Sequence, residues 1–432
     1  MDIFAGLQQA LTPAALLANC SGVALGIIFG SLPGLTAAMG VALLIPLSFG
    51  MPTVEAFSLL LGMYCGAIYG GCISAILVGT PGTVAAAATI LEGPKLTAKG
   101  QSLKALDMAT WASFLGGTFS GVALVTCAPL LAMAAMRFGA PEYFALAVFA
   151  LTVVATFSSG NIVKGLAAAF FGLFLSSIGI DQISGDFRNT FNMPDLFSGI
   201  PLVPALVGLF AVSQVMLSLE DVFRGQFGIV KYGRLSNKGL ALKELLVQKF
   251  NLLRSSVIGT IIGIIPATGA SAACFIAYSE AKRHSATPEA FGTGTLEGIA
   301  ATESSNNAVT GGALIPMMVL GVPGDVLTAI LLGALMIQGL APGPLLFSEH
   351  STVVSGIFGS FFVAQAAMLV IGLLAVRVAG KIVHVPTPIL MPIVLVLCAI
   401  GSYATNNSTF DLWIMAGFGL LGYLMLKGGF PQ

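Results

Sequence analysis

Charge is what this sequence has least of. Only 8% of its 432 residues are Asp, Glu, Lys or Arg, against 56% hydrophobic, and the mean hydropathy is +0.97. A soluble domain carries roughly 25% charged residues, so a water-facing surface is excluded for most of the chain and lipid is the solvent that fits. Formal net charge is zero, which argues against a polyanion-binding surface. Met1 to Leu17 opens with Asp2 and has no basic stretch, so no cleavable signal peptide is expected there. No Walker A pattern occurs, which excludes ATP as a driver. The six cysteines (Cys20, Cys65, Cys72, Cys127, Cys274, Cys398) all sit in apolar runs without a CxxC pair, and are expected to be inert core thiols. His284, His350 and His384 are scattered in polar linkers and no HExxH occurs. A membrane-embedded enzyme needs a nucleophile and base, or metal ligands, within its spans. None is apparent, so the chain is expected to have no catalytic residues, no cofactor and no metal beyond a bound Na⁺.

Apolar runs and glycine are what the sequence has in abundance. The 53 glycines suit a membrane bundle, because small residues let helices approach closely. A spanning helix needs about 20 apolar residues. Spans are expected over Ala109–Met136, Phe144–Phe157, Leu166–Ile178, Ile200–Leu219, Val353–Val376, Ile389–Ile400 and Leu412–Leu426, the shorter ones completed by their flanks.

The pattern also repeats. Gly30 to Thr36 (GSLPGLT) resembles Gly263 to Gly269 (GIIPATG), and GGCISAILVGTPGTVAAAATIL resembles GGALIPMMVLGVPGDVLTAILL. Later, 141–179 and 386–428 each hold two apolar segments split by a polar break, Ser158–Asn161 in one and Thr405–Ser408 in the other. The reading is a first transmembrane repeat over 1–219, a basic cytoplasmic linker over 220–254, and a second repeat over 255–432 that lacks the counterpart of the first repeat's last span. Lysine and arginine in short loops mark the cytoplasmic side. Lys95, Lys99 and Lys104 follow the Gly79 motif, whereas the matching loop Ala341–Ser351 has no Lys or Arg. Conversely, Lys282 and Arg283 follow the Pro266 motif while Ser48–Thr53 has none. Equivalent loops carry opposite bias, so the repeats are expected to be inverted. This tracing leaves 16 of 18 basic residues inside, with Arg137 and Arg188 outside, and puts the C-terminus in the cytoplasm.

Four Pro/Gly/Thr motifs interrupt the apolar runs. Proline removes a backbone donor and clashes with the preceding turn, and broken backbone at membrane depth survives only inside protein or along a wet cavity. Paired across inverted repeats, such breaks aim half-helix N-termini at anionic substrates and carbonyls at cations. The expected substrate-facing residues are Pro33, Gly34, Thr36, Thr80, Pro81, Gly82 and Thr83 in the first half, and Pro266, Thr268, Gly269, Ser271, Pro323 and Gly324 in the second. Ser74 and Thr328 add hydroxyls nearby. Glu303, Asn306, Asn307 and Asp325 are candidate ligands for a coupling ion, Na⁺ or H⁺, because intramembrane ionisable groups are costly unless used. A helix-capping Asp325 and a solvated Glu303 are the structural alternatives.

LPGLTAAMGVALLIPLSF, YGGCISAILVGTPGTVAAAATILEGPKLTAKG, PEYFALAVFALTVVATFS, EGIAATESSNNAVTGGALIPMMVLGVPGD and QGLAPGPLLF resemble the large membrane subunit of tripartite tricarboxylate transporters (the TctA type), from about Leu16 to the end of the chain. Two positions depart from that pattern: Thr302 stands where Pro is usual, and Asp325 where a small residue is common. The resemblance implies a bacterial inner-membrane permease that imports citrate-like di- and tricarboxylates by symport. It also implies two partners, a small membrane subunit (TctB-type) and a periplasmic solute-binding protein (TctC-type). The expected fold is an all-α polytopic membrane protein of two inverted-topology repeats with re-entrant Pro/Gly hairpins, of secondary and elevator-like transporter architecture. Its glycine-rich helices are compatible with a homodimer. The alternatives are a passive anion channel or a stand-alone symporter for another organic anion.

Overall fold

The computed structural model describes residues 2–32, 35–139, 141–142, 144–146, 148–149, 152, 162–181, 185–224, 239–266, 268–382 and 387–430. Pro33, Gly34, Ala267, the Ser158–Asn161 break, most of the Phe144–Phe157 span, His384 and the linker lysines and arginine at Lys231, Arg234 and Lys238 lie outside the described residues.

The described chain is helical apart from two short antiparallel strands, Gly179–Ile180 and Phe187–Arg188. In order, the helices are α1 (Ile3–Ala10), α2 (Pro13–Ser31), α3 (Ala37–Ser48) and α4 (Thr53–Val78). A 3₁₀ segment follows (Val84–Leu91), then α5 (Gly93–Ala98), α6 (Ser102–Ala135), α7 (Ile162–Ser176) and α8 (202–223, with a π turn at Val207–Val212). The second half holds α9 (Leu242–Val247), α10 (Lys249–Ile264), α11 (Gly269–His284), α12 (Leu296–Leu320) and α13 (Val326–Ile337). It ends with α14 (Pro344–Glu349), α15 (Ser351–Ile382), α16 (Thr387–Asn406) and α17 (Thr409–Lys427).

Six of the described helices are long and apolar enough to cross a bilayer: Pro13–Ser31, Thr53–Val78, Ser102–Ala135, Leu202–Glu220, Ser351–Arg377 and Thr409–Lys427. At 1.5 Å per residue these lengths match a hydrocarbon layer of about 30 Å. The chain is therefore a polytopic membrane protein.

The described residues form two compact units. One comprises Met1–Leu44, Ser48–Arg137 and Phe227–Pro386; the other comprises Ile45–Leu47, Phe138–Gln226 and Thr387–Gln432. In the first unit, α4 and α12 are the interior helices. Every residue from Ala56 to Leu77 and from Gly298 to Val319 is buried. Helix α12 earns that place despite its polar Thr302–Asn307 run, because α6, α10 and α11 cover it.

Glycine makes the packing of this unit close, and the same crossings occur twice. Gly26 lies against the Met63 carbonyl and Gly30 against that of Ala67, joining α2 to α4. Gly259 lies against the Ser305 carbonyl and Gly263 against that of Val309, joining α10 to α12. Helix α6 packs on α12 as α15 packs on α4. A β-carbon at any of these glycines would collide with backbone.

In the second unit α17 packs along α8, where Glu220 accepts from Tyr423 at 2.8 Å and pairs with Lys427 and Arg224. All six cysteines are free, and Cys65, Cys72, Cys274 and Cys398 are buried as expected. Cys127 is exposed and Cys20 half-buried, contrary to the core reading. An apolar run facing lipid has the same composition as one facing protein, and α6 turns Cys127 outward.

Candidate functional site

All four sequence-marked positions break a helix. Helix α2 ends at Ser31 and α3 begins at Ala37; α10 ends at Ile264 and α11 begins at Gly269. Helices α4 and α12 each end on a left-handed glycine, Gly79 (φ +77°) and Gly321 (φ +69°), where a side chain would be strained. Each of these glycines faces a proline further along the chain, Pro94 at the start of α5 for Gly79 and Pro342 just before α14 for Gly321. Proline alone is not the signal, since Pro46, Pro129, Pro316 and Pro392 sit inside continuous helices.

The breaks differ in how their backbone donors are met. Thr36 caps α3, its Oγ1 accepting from the Met39 amide at 3.0 Å. Thr268 instead donates to the Ile265 carbonyl at 3.2 Å, so α11 has no side-chain cap; Ser271 is half-buried one turn on. Gly82 is wedged between the Gly30 carbonyl and Ser74 Oγ. Thr80 and Pro81 are exposed, while Thr83 buries its Oγ1 with no hydrogen-bond partner. In the second half Gly324 is wedged between Ala313 and the Gly263 carbonyl by the same construction. Asp325 there caps α13, accepting from the Thr328 amide at 2.7 Å, and its Oδ2 accepts from Tyr64 at 2.9 Å.

The polar run of α12 forms a second cluster. Glu303, Asn306 and Asn307 are 0% exposed, which removes the solvated alternative for Glu303. Their i, i+3 and i+4 spacing places them on one helical face. Thr89, from the 3₁₀ segment, donates to Glu303 Oε1 and to Thr302 Oγ1. Glu303 Oε2, both amide atoms of Asn306, Asn307 Oδ1 and Ser113 Oγ have no partner at hydrogen-bond geometry, although Asn306 and Ser113 stand beside the carboxylate. Cys72 of α4 and Cys274 of α11 are within electrostatic reach of Glu303, and Cys274 Sγ lies 3.4 Å from the Thr302 carbonyl. Helix α12, the 3₁₀ segment, α6 and α11 thus meet around this carboxylate. Buried polar groups are nearly always hydrogen-bonded, so this concentration of buried polar atoms without a partner sets the cluster apart from the rest of α12.

Three residues here escaped the sequence reading. Tyr64 and Thr89 lie in apolar runs and acquire partners only across 261 and 214 residues of chain. Glu92 is buried and binds the loop before α12. Two cavities, of about 610 and 850 Å³, lie elsewhere: one beside Lys104 and Glu244, the other beside Asp181 and Arg188. Neither is lined by any sequence-selected residue.

Broken apolar helices with carboxylate and amide groups gathered inside them define a polytopic membrane protein of the transport class. Residues 16–432 match the tripartite tricarboxylate transporter TctA family, and the chain belongs to that family: it is the membrane component of a tripartite tricarboxylate transporter, not an enzyme. It is 34% identical over 424 residues to an uncharacterized 52.8 kDa protein in the TAR-I ttuC' 3' region of Agrobacterium vitis, covering 98% of this chain and 84% of that one. A second Agrobacterium vitis protein, uncharacterized and in the TAR-II ttuC' 3' region, is 32% identical over 171 residues, 40% of this chain and 71% of that one. No solved structure matches.

Proposed function

We propose that the chain carries citrate-like di- or tricarboxylates inward across a bacterial inner membrane by symport with Na⁺ or H⁺, receiving them from a TctC-type binding protein and assembling with a TctB-type subunit. The observation that carries this reading is the incompletely bonded face of Glu303, Asn306 and Asn307, set beside helix breaks in a TctA-family chain. A carboxylate substrate without a buried Arg or Lys must be met by amide donors, hydroxyls, helix N-termini and an accompanying cation. The uncapped start of α11 and the 3₁₀ segment after Thr83 supply donors; Glu303 with its two asparagines supplies hard oxygen ligands. Pro33, Gly34, Thr36, Thr80, Pro81, Gly82, Thr83, Pro266, Thr268, Gly269, Ser271, Pro323 and Gly324 remain the proposed substrate-facing set, and Asp325 an ion ligand secondary to Glu303.

The inverted-repeat, elevator-like architecture belongs to the same proposal. The doubled glycine crossings support two related halves, 1–219 and 255–432, joined by the basic linker. So does the grouping of loops. Gln338 donates to the Ser48 carbonyl at 3.0 Å, joining two loops assigned to the outside. Lys104 pairs with Glu244, joining the first half to the linker assigned to the cytoplasm.

The test is uptake by proteoliposomes holding the complete three-part system, with candidate acids and with or without a Na⁺ gradient. Accumulation against the substrate gradient is expected, and Thr83→Val or Thr268→Val should reduce it without loss of membrane expression. Passive equilibration only, or unchanged uptake in both variants, overturns the reading.

A further inference from the structure

Glu92 has no part in the substrate or ion site, yet it is bonded at both oxygens. Its Oε1 accepts from the Gly292 amide at 2.5 Å and the Tyr278 hydroxyl at 2.7 Å; its Oε2 accepts from the amides of Gly294 at 2.7 Å and Thr295 at 2.9 Å. The residue is 1% exposed. The carbonyls of the same loop are met from the same side: Lys95 Nζ donates to Gly292 and Lys99 Nζ to Gly294 at 3.3 Å. Gly292 (φ +84°) and Gly294 (φ +102°) take conformations open to glycine, which lets three amides of a short loop converge on one carboxylate.

Both ends of this contact lead to Glu303. Glu92 follows Thr89 by one 3₁₀ turn, and its amide bonds the Thr89 carbonyl at 3.3 Å, so the two side chains leave the same face of the segment. On the other side, Thr295 is the N-cap of α12, which carries Glu303 about two turns further on. The Glu92–loop contact and the Thr89–Glu303 hydrogen bond are therefore two rungs between the same two elements. We infer that Glu92 is a positioning residue: a latch that fixes the 3₁₀ segment to the mouth of α12 and so holds Thr89 against Glu303. Release of this latch uncovers the Glu303 centre at the Gly292–Thr295 end of the molecule.

The experiment uses the full-length protein in membrane vesicles and measures how fast each native cysteine reacts with N-ethylmaleimide, read residue by residue by mass spectrometry. Glu92→Gln keeps the shape but points an amide at three backbone N–H groups. It is expected to raise labelling of Cys274, which contacts the Thr302 carbonyl, and of Cys72, within electrostatic reach of Glu303, at least tenfold while leaving Cys65 and Cys398 unchanged. Glu92→Asp, which retains the charge on a shorter arm, is expected to give a smaller increase at the same two thiols, and serves alone if the glutamine variant does not reach the membrane. Uniform acceleration at all four thiols would mean a merely structural role, and no acceleration at Cys274 would mean no latch; either overturns the proposal. The labelling needs no knowledge of the substrate, so its failure is distinct from failure of the transport reading.

Discussion

The breaks after α4 and α12 are made alike and furnished differently. Each has a left-handed glycine backed by a proline, then a second glycine wedged against the last turn of the neighbouring helix. In the break after α12 the polar groups close on themselves: Asp325 caps α13 and accepts from Tyr64. By the spacing of the repeat, the position matching Asp325 is Thr83 and the position matching Tyr64 is Asn306. The Thr83 Oγ1 and both amide atoms of Asn306 are buried and have no partner at hydrogen-bond geometry. One half therefore uses its pair to hold a helix end, and the other leaves the equivalent pair open. Backbone construction is duplicated here while side-chain chemistry has diverged, and the open pair is where a ligand gains most.

The largest effect should separate Glu303 from Asp325. Glu303→Gln removes the charge at the open centre and is expected to lower ion-driven accumulation by roughly 100-fold, equivalent to about 2.7 kcal/mol. Asp325→Asn keeps a capping oxygen and turns the Tyr64 contact round, the amide nitrogen donating to the hydroxyl, and should change uptake less than about threefold because Asn caps as well as Asp. Equal losses in proteoliposome uptake would show the two centres to be equivalent.

Stability should separate the glycines. Gly82→Ala drives a methyl into the Gly30 carbonyl, whereas at Gly324 the nearest atoms are Ala313 Cβ at 2.7 Å and the Gly263 carbonyl at 3.0 Å. Overpacking costs about 1–3 kcal/mol, and Gly82→Ala should lie at or above the top of that range with Gly324→Ala below it, read from thermal unfolding in detergent. A third contrast exchanges the readouts. Asp325→Ala should destabilise by about 1–2 kcal/mol through the lost cap, while Thr83→Val should leave stability nearly unchanged and reduce uptake. Comparable unfolding shifts for these two would remove the distinction between closed and open pairs.

The smallest effect is expected at the Lys104–Glu244 pair, which joins the first turn of α6 to Glu244 of α9, outside the spans. The Lys104 hydrogen bond, followed by that from the Ala241 amide, holds the Glu244 carboxyl below its usual value. A depressed acid stabilises the fold above the ordinary carboxylate range, and that contribution is lost as pH falls through the lowered value. The pair is partly exposed, so Lys104→Met should cost at most about 0.5 kcal/mol near neutral pH and nothing in acid. A pH-independent loss would assign the effect to packing.

The spans of α6, α8, α15 and α17, the helix breaks and the Glu303 face were legible in the sequence because each has a local cause, whereas α2 and α4, which also reach spanning length, were not among the expected spans. Apolar length sets a span, Gly next to Pro-Gly ends a helix, and a carboxylate within an apolar run stands out. Tyr64, Thr89 and Glu92 were not legible. A tyrosine or threonine in an apolar stretch reads as packing, and Glu92 beside Lys95 and Lys99 reads as a solvated loop until the fold brings Gly292–Thr295 onto it. Asp325 was open to two readings from sequence; it does cap α13 through Thr328, and Tyr64 donates to its other oxygen. The exposure of Cys127 was hidden because composition does not distinguish the lipid side of a helix from its protein side.

The glycine crossings between α2 and α4, and between α10 and α12, have a mechanical consequence. Where main chains touch main chain with no side chains between them, there are no rotamers to rearrange and little compliance to absorb a bend. Each helix pair should behave as a stiff plank, with motion confined to the seams and to the short connections at the Pro-Gly turns.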